Sequence, residues 1–78
     1  MEKAESLKDI YSLMGPIEEA TDLYDLVDKV FVNKKAALVW FNSPVPMLEN
    51  KTPYQKIIQE DYQSVIGVLA GLYNGAFL

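Results

Sequence analysis

Residues 40–53, which read WFNSPVPMLENKTP, constrain the fold more than any other stretch of the chain. Pro44 disfavours α geometry at Ser43, because its ring collides with the backbone of the residue before it. Pro46 has a fixed φ and no N–H to donate, so it holds the chain extended. The sequence therefore predicts that the helix carrying Trp40 ends within this stretch.

The second half of the same stretch is typical of a helix start. Thr52 followed by Pro53 matches an N-cap residue and a proline at the first helical position. Asn50 tolerates the left-handed backbone that a tight corner requires. Met47 and Leu48 are apolar and can fold back onto a core. We therefore predict a structured corner between two helices.

Apolar residues before the corner recur at helical spacing. They predict a first helix over 2–14 and a turn over 15–21, which can include one helical turn at 16–20. Thr21 or Asp22 then caps a second helix. A third helix over 34–42, capped by Asn33, contains six consecutive apolar residues and almost no polar face, so we expect it to be central. Its Trp40 is expected in the core, and Trp40→Ala is expected to unfold the domain.

Two further helices are predicted after the corner. The fourth begins at Thr52-Pro53, and the fifth begins at Glu60-Asp61 and is closed by Gly75. No segment alternates with period two, so the predicted fold class is all-α: a small compact bundle of about five short helices with no sheet. The residues expected to face the core are Ala4, Leu7, Ile10, Tyr11, Met14, Leu23, Leu26, Val27, Val30, Phe31, Tyr54, Ile57, Ile58, Tyr62, Val65, Ile66, Leu69, Leu72 and Tyr73.

One flank of the fifth helix has almost no side chains. Gly67, Gly71 and Gly75 recur every four residues, with Ser64 alongside. Each internal glycine costs about 1 kcal/mol of helix propensity relative to alanine, which indicates a packing role. Ser64, Gly67 and Gly71 are therefore predicted to form a dimer or close-packing face, against either another helix of this chain or a second chain.

Composition argues against most enzyme classes. The 78 residues are half hydrophobic and include no cysteine and no histidine, which excludes a disulfide scaffold, a thiol nucleophile and a zinc-thiolate site. The row of Asp22, Asp25 and Asp28 is typical of a solvated helix face. We therefore expect a protein that is not an enzyme, with no catalytic residues, no metal and no cofactor.

Charge and hydropathy limit the partners. Residues 1–28 carry a net charge of −6 and residues 29–78 carry +2. The chain has no arginine and a single pair of adjacent lysines, Lys34-Lys35, which does not favour DNA as a partner of this chain alone. No apolar stretch approaches the length of a membrane span, and no secretion signal opens the sequence. These features predict a cytoplasmic protein without membrane contact.

The order of motifs from about residue 30 to residue 75 resembles the C-terminal toxin-binding domain of Xre/ParS-type bacterial antitoxins. The resemblance is carried by Val30-Phe31, the A-x-x-W-F of 37–41, the P-V-P-M-L corner of 44–48, the K-T-P-Y of 51–54, Val65-x-x-x-Leu69 and the closing L-Y-N-G of 72–75. It implies an all-helical module, usually dimeric, that binds toxins of the RES-domain class. RES toxins degrade NAD or transfer ADP-ribose from it.

The resemblance also implies which residues would bind the toxin and block its active site. Family members block the toxin active site with their extreme C-terminal segment, which here would be Tyr73, Asn74, Gly75, Ala76, Phe77 and Leu78. On this interpretation residues 22–78 form the toxin-binding domain. Residues 1–21, an N-terminal helix with a Gly-Pro turn, replace the helix-turn-helix that family members often carry, and serve as a dimer or docking helix.

Two positions depart from the family pattern and leave alternatives open. Gly71 stands where family members commonly have an arginine, and Asn50 stands where they have a glycine. Loss of the arginine would fit a dimeric scaffold or transcriptional accessory protein that keeps the fold without toxin binding. A third hypothesis, direct DNA regulation, predicts salt-dependent binding to duplex DNA that weakens when Lys34 and Lys35 are replaced by alanine.

Overall fold

The computed structural model describes residues 3–75, and within that range the protein is a bundle of short helices. The helices are α1 (Leu7–Met14), α2 (Glu18–Val30), α3 (Lys34–Phe41), α4 (Pro53–Ile58) and α5 (Tyr62–Tyr73), with a 3-10 turn at Pro46–Leu48 between α3 and α4. The described residues contain no β-strand, although an isolated antiparallel bridge joins Val45 and Lys51. The predicted all-α bundle is confirmed.

Two helix starts differ from the predictions. Helix α1 begins at Leu7 rather than near residue 2, because Ser6 is extended and its side chain accepts a hydrogen bond from the Asp9 N–H. Helix α2 begins at Glu18, so the predicted caps at Thr21 and Asp22 lie inside it. Glu18 and its acidic neighbour at position 19 occupy the first turn of α2, where negative charge stabilises the helix dipole without a side-chain cap.

The corner between α3 and α4 is ordered by its backbone. The Val45 N–H donates to the Lys51 carbonyl at 3.0 Å, and Glu49 and Asn50 both have left-handed backbone with φ near 60°. Leu48 is buried as predicted. Met47 is 52% exposed, so the prediction that it anchors the corner is wrong. Adjacent residues of a 3-10 turn point about 120° apart, so Leu48 is buried while Met47 faces solvent.

Helix α4 begins with the predicted Thr52-Pro53 cap. The Thr52 hydroxyl accepts from the Gln55 N–H at 3.0 Å, and the Gln55 side chain accepts from the Thr52 N–H at 2.9 Å. This reciprocal pair is a capping box, which satisfies two backbone donors that the first helical turn leaves free. The proline corner and the helix after it are therefore specified by local sequence.

A buried lysine joins the corner to the last two helices. Lys56 Nζ lies 3.3 Å from Glu49 Oε1 and 3.3 Å from Asp61 Oδ2. The hydrogen bond to Glu49, joined by the one to Asp61, raises the pKa of Lys56 against the effect of burial. A hydrogen bond from Ser64, together with that from Lys56, lowers the pKa of the Asp61 carboxyl. This network fixes the junction between α4 and α5.

Helices α2 and α5 make the most extensive contact in the bundle, and each buries three residues in the core, as α1 also does. The N-terminal segment belongs to the same core: Ala4 is buried, and its backbone N–H and carbonyl each form a 2.8 Å hydrogen bond with the Asn42 side chain. The buried apolar residues are Ala4, Leu7, Ile10, Met14, Ala20, Leu23, Val27, Ala37, Phe41, Val45, Leu48, Ile57, Val65, Val68 and Leu69.

Helix α3 is peripheral, so the prediction that it is central is wrong. It buries only Ala37 and Phe41, which lie four residues apart on one side. Trp40 is partly buried at the edge of the core, with its ring 5.7 Å from Phe31 and 5.1 Å from Phe41 between centroids. An eight-residue helix on the outside of a small bundle has room to bury only one face.

Candidate functional site

The outer side of α3 leaves apolar side chains in contact with solvent. Ala36, Val39 and Trp40 follow an i, i+3, i+4 pattern, which places them along one side of the helix. Val39 is 61% exposed, Ala36 is exposed, and Val32 just before the helix is 99% exposed. We call Val32, Ala36, Val39 and Trp40 the α3 surface. Clustered apolar side chains in water are typical of an interaction surface.

The charges near the α3 surface are mostly positive, with Asp28 as an acidic exception that lines a small pocket together with Val32 and Lys34. Residues 29–48 contain three lysines, Lys29, Lys34 and Lys35, and no acidic residue. Both Lys34 and Lys35 are exposed at the start of α3. The remainder of the chain is strongly acidic, with a net charge of −6 over residues 1–28. The α3 surface therefore suits a partner with apolar side chains and an acidic border.

The predicted partner-binding segment is only partly within the described residues. Tyr73 ends α5 and is 54% exposed, so the prediction that it faces the core is wrong. Asn74 is exposed, and Gly75 has φ +74°, the left-handed closing geometry predicted for it. Lys29 Nζ lies 5.5 Å from the centroid of the Tyr73 ring, a cation–π distance that ties the end of α5 to α2.

The other three residues of that predicted segment, Ala76, Phe77 and Leu78, lie outside the described residues. Helix α5 itself is well anchored, because Val65, Val68 and Leu69 are buried against the rest of the bundle. Tyr73 and Asn74 are therefore presented at the end of a rigid helix. Such placement lowers the conformational entropy that a partner would have to remove on binding.

The small-residue flank of α5 is open at Gly67. Gly67 is exposed, and a Cβ built on it meets no atom within 4 Å. Close packing against another helix of this chain therefore does not explain that residue. Gly71 is partly buried, and the Ser64 hydroxyl donates to Asp61 Oδ2 at 2.8 Å. Of the two predicted roles for this flank, a contact with a second chain is the one that an open Gly67 favours.

Replacing Gly67 by alanine is expected to raise the free energy of unfolding by about 0.5–1 kcal/mol, because the helix gains propensity and the new methyl group has room. Gly15 is a matched control with the opposite expected sign. Its φ of +70° and ψ of −165° are essentially restricted to glycine, so Gly15→Ala should cost about 1–3 kcal/mol. Chemical denaturation of both variants measures the difference, and a destabilised Gly67→Ala variant would contradict the open flank.

An open cleft of about 940 Å³ lies between α1, α2 and the start of α3. Tyr11 of α1 and Tyr24 of α2 line it, with ring centroids 4.2 Å apart and planes inclined by 67°. Leu38 of α3 also lines the cleft. By helical spacing, Leu38 lies on a different side of α3 from Val39 and Ala36, so the cleft and the α3 surface are separate features.

Burial, reinforced by the nearby charge of Asp28 and by Tyr24, raises the pKa of Tyr11 to about 12. The Tyr11 hydroxyl therefore remains a neutral hydrogen-bond donor throughout the physiological range. Because an unfolded tyrosine ionises near pH 10, the folded state holds this proton more tightly than the unfolded state. The stability that this provides is intact below about pH 10 and is lost as pH rises towards 12.

We expect a spectrophotometric titration of tyrosinate in the folded protein to show an ionisation step near pH 12. The step should be absent in Tyr11→Phe and retained in the control Tyr54→Phe. Over about pH 10–12 the wild-type protein should lose stability more steeply than Tyr11→Phe does. A step near pH 12 that persists in Tyr11→Phe would show that another tyrosine is responsible.

Chemically reactive groups are sparse among the described residues. Within residues 3–75 no group of three or more acidic side chains is placed to hold a metal ion. The ion pairs found in this range are both made by Lys56, and they join structural elements of the corner. No helix in the range has the length and apolar character needed to cross a membrane.

Comparison with models of protein families, with curated proteins and with solved structures finds no match to this chain. From the sequence, α3 was predicted to be central and Trp40 to lie in the core, and Tyr24 was not singled out. The signal for the α3 surface was present, since six apolar residues in a row cannot all face one side of a helix.

Proposed function

We propose that this chain is a cytoplasmic, non-enzymatic protein-interaction module that acts as an antitoxin. It neutralises a RES-type, NAD-consuming toxin by inserting its C-terminal segment, residues 73–78, into the toxin active site. The observation that carries the proposal is the exposed apolar α3 surface. The ordered motif resemblance over residues 30–75 supplies the kind of partner.

The α3 surface supports a protein partner on energetic grounds. Burial of apolar area contributes about 25 cal/mol per Å². Val32 and Val39 are largely exposed in the free chain, so a partner that covers them would stabilise the complex by removing their apolar area from water. Trp40 lies at the edge of the same surface, and tryptophan is enriched among the residues that contribute most of the binding energy at protein interfaces. The nearby Lys34 and Lys35 would favour association with an acidic toxin border.

The end of α5 supports the proposed blocking role. Tyr73 and Asn74 are exposed at the end of a helix whose other side is fixed in the core. A phenol ring and an amide offer both apolar contact and hydrogen bonds, which suit a cleft that binds a nucleotide such as NAD. The α3 surface would then hold the toxin while the segment 73–78 occupies its active site.

The experiment is co-expression of the full chain with a RES-domain toxin, with cell growth and NAD level as readouts. Wild-type protein should restore both, and Tyr73→Ala or removal of 76–78 should abolish rescue. Leu13→Ala is the matched control, because Leu13 is exposed to nearly the same degree as Tyr73 but lies on α1. Rescue that is indifferent to both changes at the C-terminal segment would contradict the proposed mechanism.

A second candidate is a dimeric scaffold or transcriptional accessory protein that has the fold without toxin binding. The open flank at Gly67 favours it, as does the opposite charge of residues 1–28 and 29–48. This candidate predicts a dimer by light scattering that becomes a monomer in Gly67→Leu, because the larger side chain blocks close approach of a second backbone. A monomer at all concentrations would eliminate it.

A further inference from the structure

The cleft between α1, α2 and the start of α3 combines an aromatic wall with a basic rim. Tyr11 and Tyr24 are each partly buried and stand in edge-to-face contact, which makes a rigid apolar wall. Leu38 adds an aliphatic side chain from the third helix. The volume of about 940 Å³ lies within the usual range of small-ligand sites, roughly 300–1,000 Å³.

The rim of the cleft is more basic than the chain as a whole. Lys8, Lys34 and Lys35 line it, and all three are exposed. Two acidic residues, Glu5 and Asp28, also line it, so the local charge is +1 in a chain of net charge −4. Asp28 lies beside Tyr11, so an anion in the cleft is repelled from that end and attracted towards the lysines.

From this arrangement we infer that the cleft binds a small aromatic anion: a planar ring system that carries a carboxylate, sulfonate or phosphate group. The ring packs against Tyr11, Tyr24 and Leu38. The anionic group pairs with the lysines at the start of α3. The cleft shares Lys34 and Lys35 with the proposed toxin contact. Its apolar wall, Tyr11, Tyr24 and Leu38, is distinct from the α3 surface and from Tyr73, so the inference does not require the proposed antitoxin role.

The hydroxyl groups of the two tyrosines add hydrogen-bonding capacity. No buried side-chain polar atom among residues 3–75 lacks a hydrogen-bond partner, so neither hydroxyl is buried without one. Because Asp28 keeps the anionic group away from Tyr11, the tyrosine hydroxyls are available to polar atoms of the ring system. The charge-assisted bonds to the anionic group come from the lysines, and bonds of this kind are about twice as strong as neutral ones. Aromatic packing and anion recognition therefore meet in one cleft.

The test is titration of the full chain with naphthalene-2-sulfonate, followed by amide NMR spectra. The expected result is saturable shifts centred on residues of the cleft, such as Ser12, Gly15 and Leu38, with a single dissociation constant. Neutral 2-naphthol and ring-free methanesulfonate should each bind at least tenfold more weakly. Equal binding of 2-naphthol, or shifts centred on Val39 and Trp40, would overturn the inference.

Paired charge variants separate a specific site from general attraction. Lys34→Gln with Lys35→Gln should weaken binding of naphthalene-2-sulfonate at least fivefold. The control, Lys3→Gln with Lys51→Gln, changes the net charge equally at lysines that do not line the cleft, and it should change binding less than twofold. Equal losses in the two double variants would show general charge attraction and overturn the inference.

Discussion

Phe41→Ala is expected to lower the free energy of unfolding by about 3–5 kcal/mol. The Phe41 ring is 0% exposed, so its removal leaves a cavity where α3 meets the rest of the bundle. A domain of this length has a total stability of about 4–12 kcal/mol, so the loss removes from about a quarter to all of it. Thermal and urea melts followed by circular dichroism measure the change.

Trp40→Ala provides the comparison for that prediction. Trp40 is the larger residue but is only partly buried, so its replacement should cost about 1–3 kcal/mol and leave a cooperative melt. This outcome differs from the sequence-based expectation that Trp40→Ala unfolds the domain. A larger loss for Trp40→Ala than for Phe41→Ala would mean that the inward side of α3 has been assigned wrongly.

Val39→Glu is expected to weaken binding to a RES-domain toxin by about 2 kcal/mol, which is roughly thirtyfold in Kd. Val39 lies at the exposed centre of the α3 surface, and a glutamate there would bring an unpaired charge into an apolar contact. The stability of the free chain should change by less than about 0.5 kcal/mol, because the side chain is largely in water. Isothermal titration calorimetry gives the affinity.

The matched control for this prediction is Leu13→Glu. Leu13 is also an exposed apolar residue on a helix, and the substitution changes the net charge by the same amount. It should leave affinity for the toxin within about twofold of the wild type. If Leu13→Glu weakens binding as much as Val39→Glu does, the effect would come from net charge, and the α3 surface would lose its support.

The parts of the fold set by local chemistry could be predicted from the sequence. Thr52-Pro53 begins a helix because the Thr52 hydroxyl and the fixed φ of Pro53 act within one turn. Asn33 caps α3 in the same way, with its side chain 2.8 Å from the Ala36 N–H. Gly15 ends α1 with positive φ. Each of these signals depends on at most four neighbouring residues.

The parts set by packing could not be predicted in the same way. The position of α3 depends on which helices cover it, and a run of apolar residues does not say which half faces inward. The start of α2 is a local exception: two glutamates favour it without a side-chain cap, so the usual N-cap residues do not mark it. Met47 and Leu48 are adjacent and both apolar, and only the geometry of the corner decides that Leu48 is the buried one.

For the candidate surfaces, too, local spacing could be read from the sequence and tertiary contacts could not. Gly67 was singled out from its spacing, but that its flank is open depends on the tertiary structure. Tyr11 and Tyr24 lie thirteen residues apart in sequence, and only the packing of α1 on α2 brings their rings together. The exposure of the α3 surface was not predicted, because apolar residues are assigned to a core by default.

The most direct test of the central claim is NAD consumption by a purified RES-domain toxin, measured with increasing amounts of the purified full chain. We expect inhibition that is competitive with NAD, so that the amount of chain needed for half-inhibition rises with NAD concentration. The inhibition should be lost when Tyr73 is replaced by alanine. Unchanged NAD consumption at an excess of the chain, or inhibition that does not depend on NAD concentration, would contradict the claim that the C-terminal segment occupies the toxin active site.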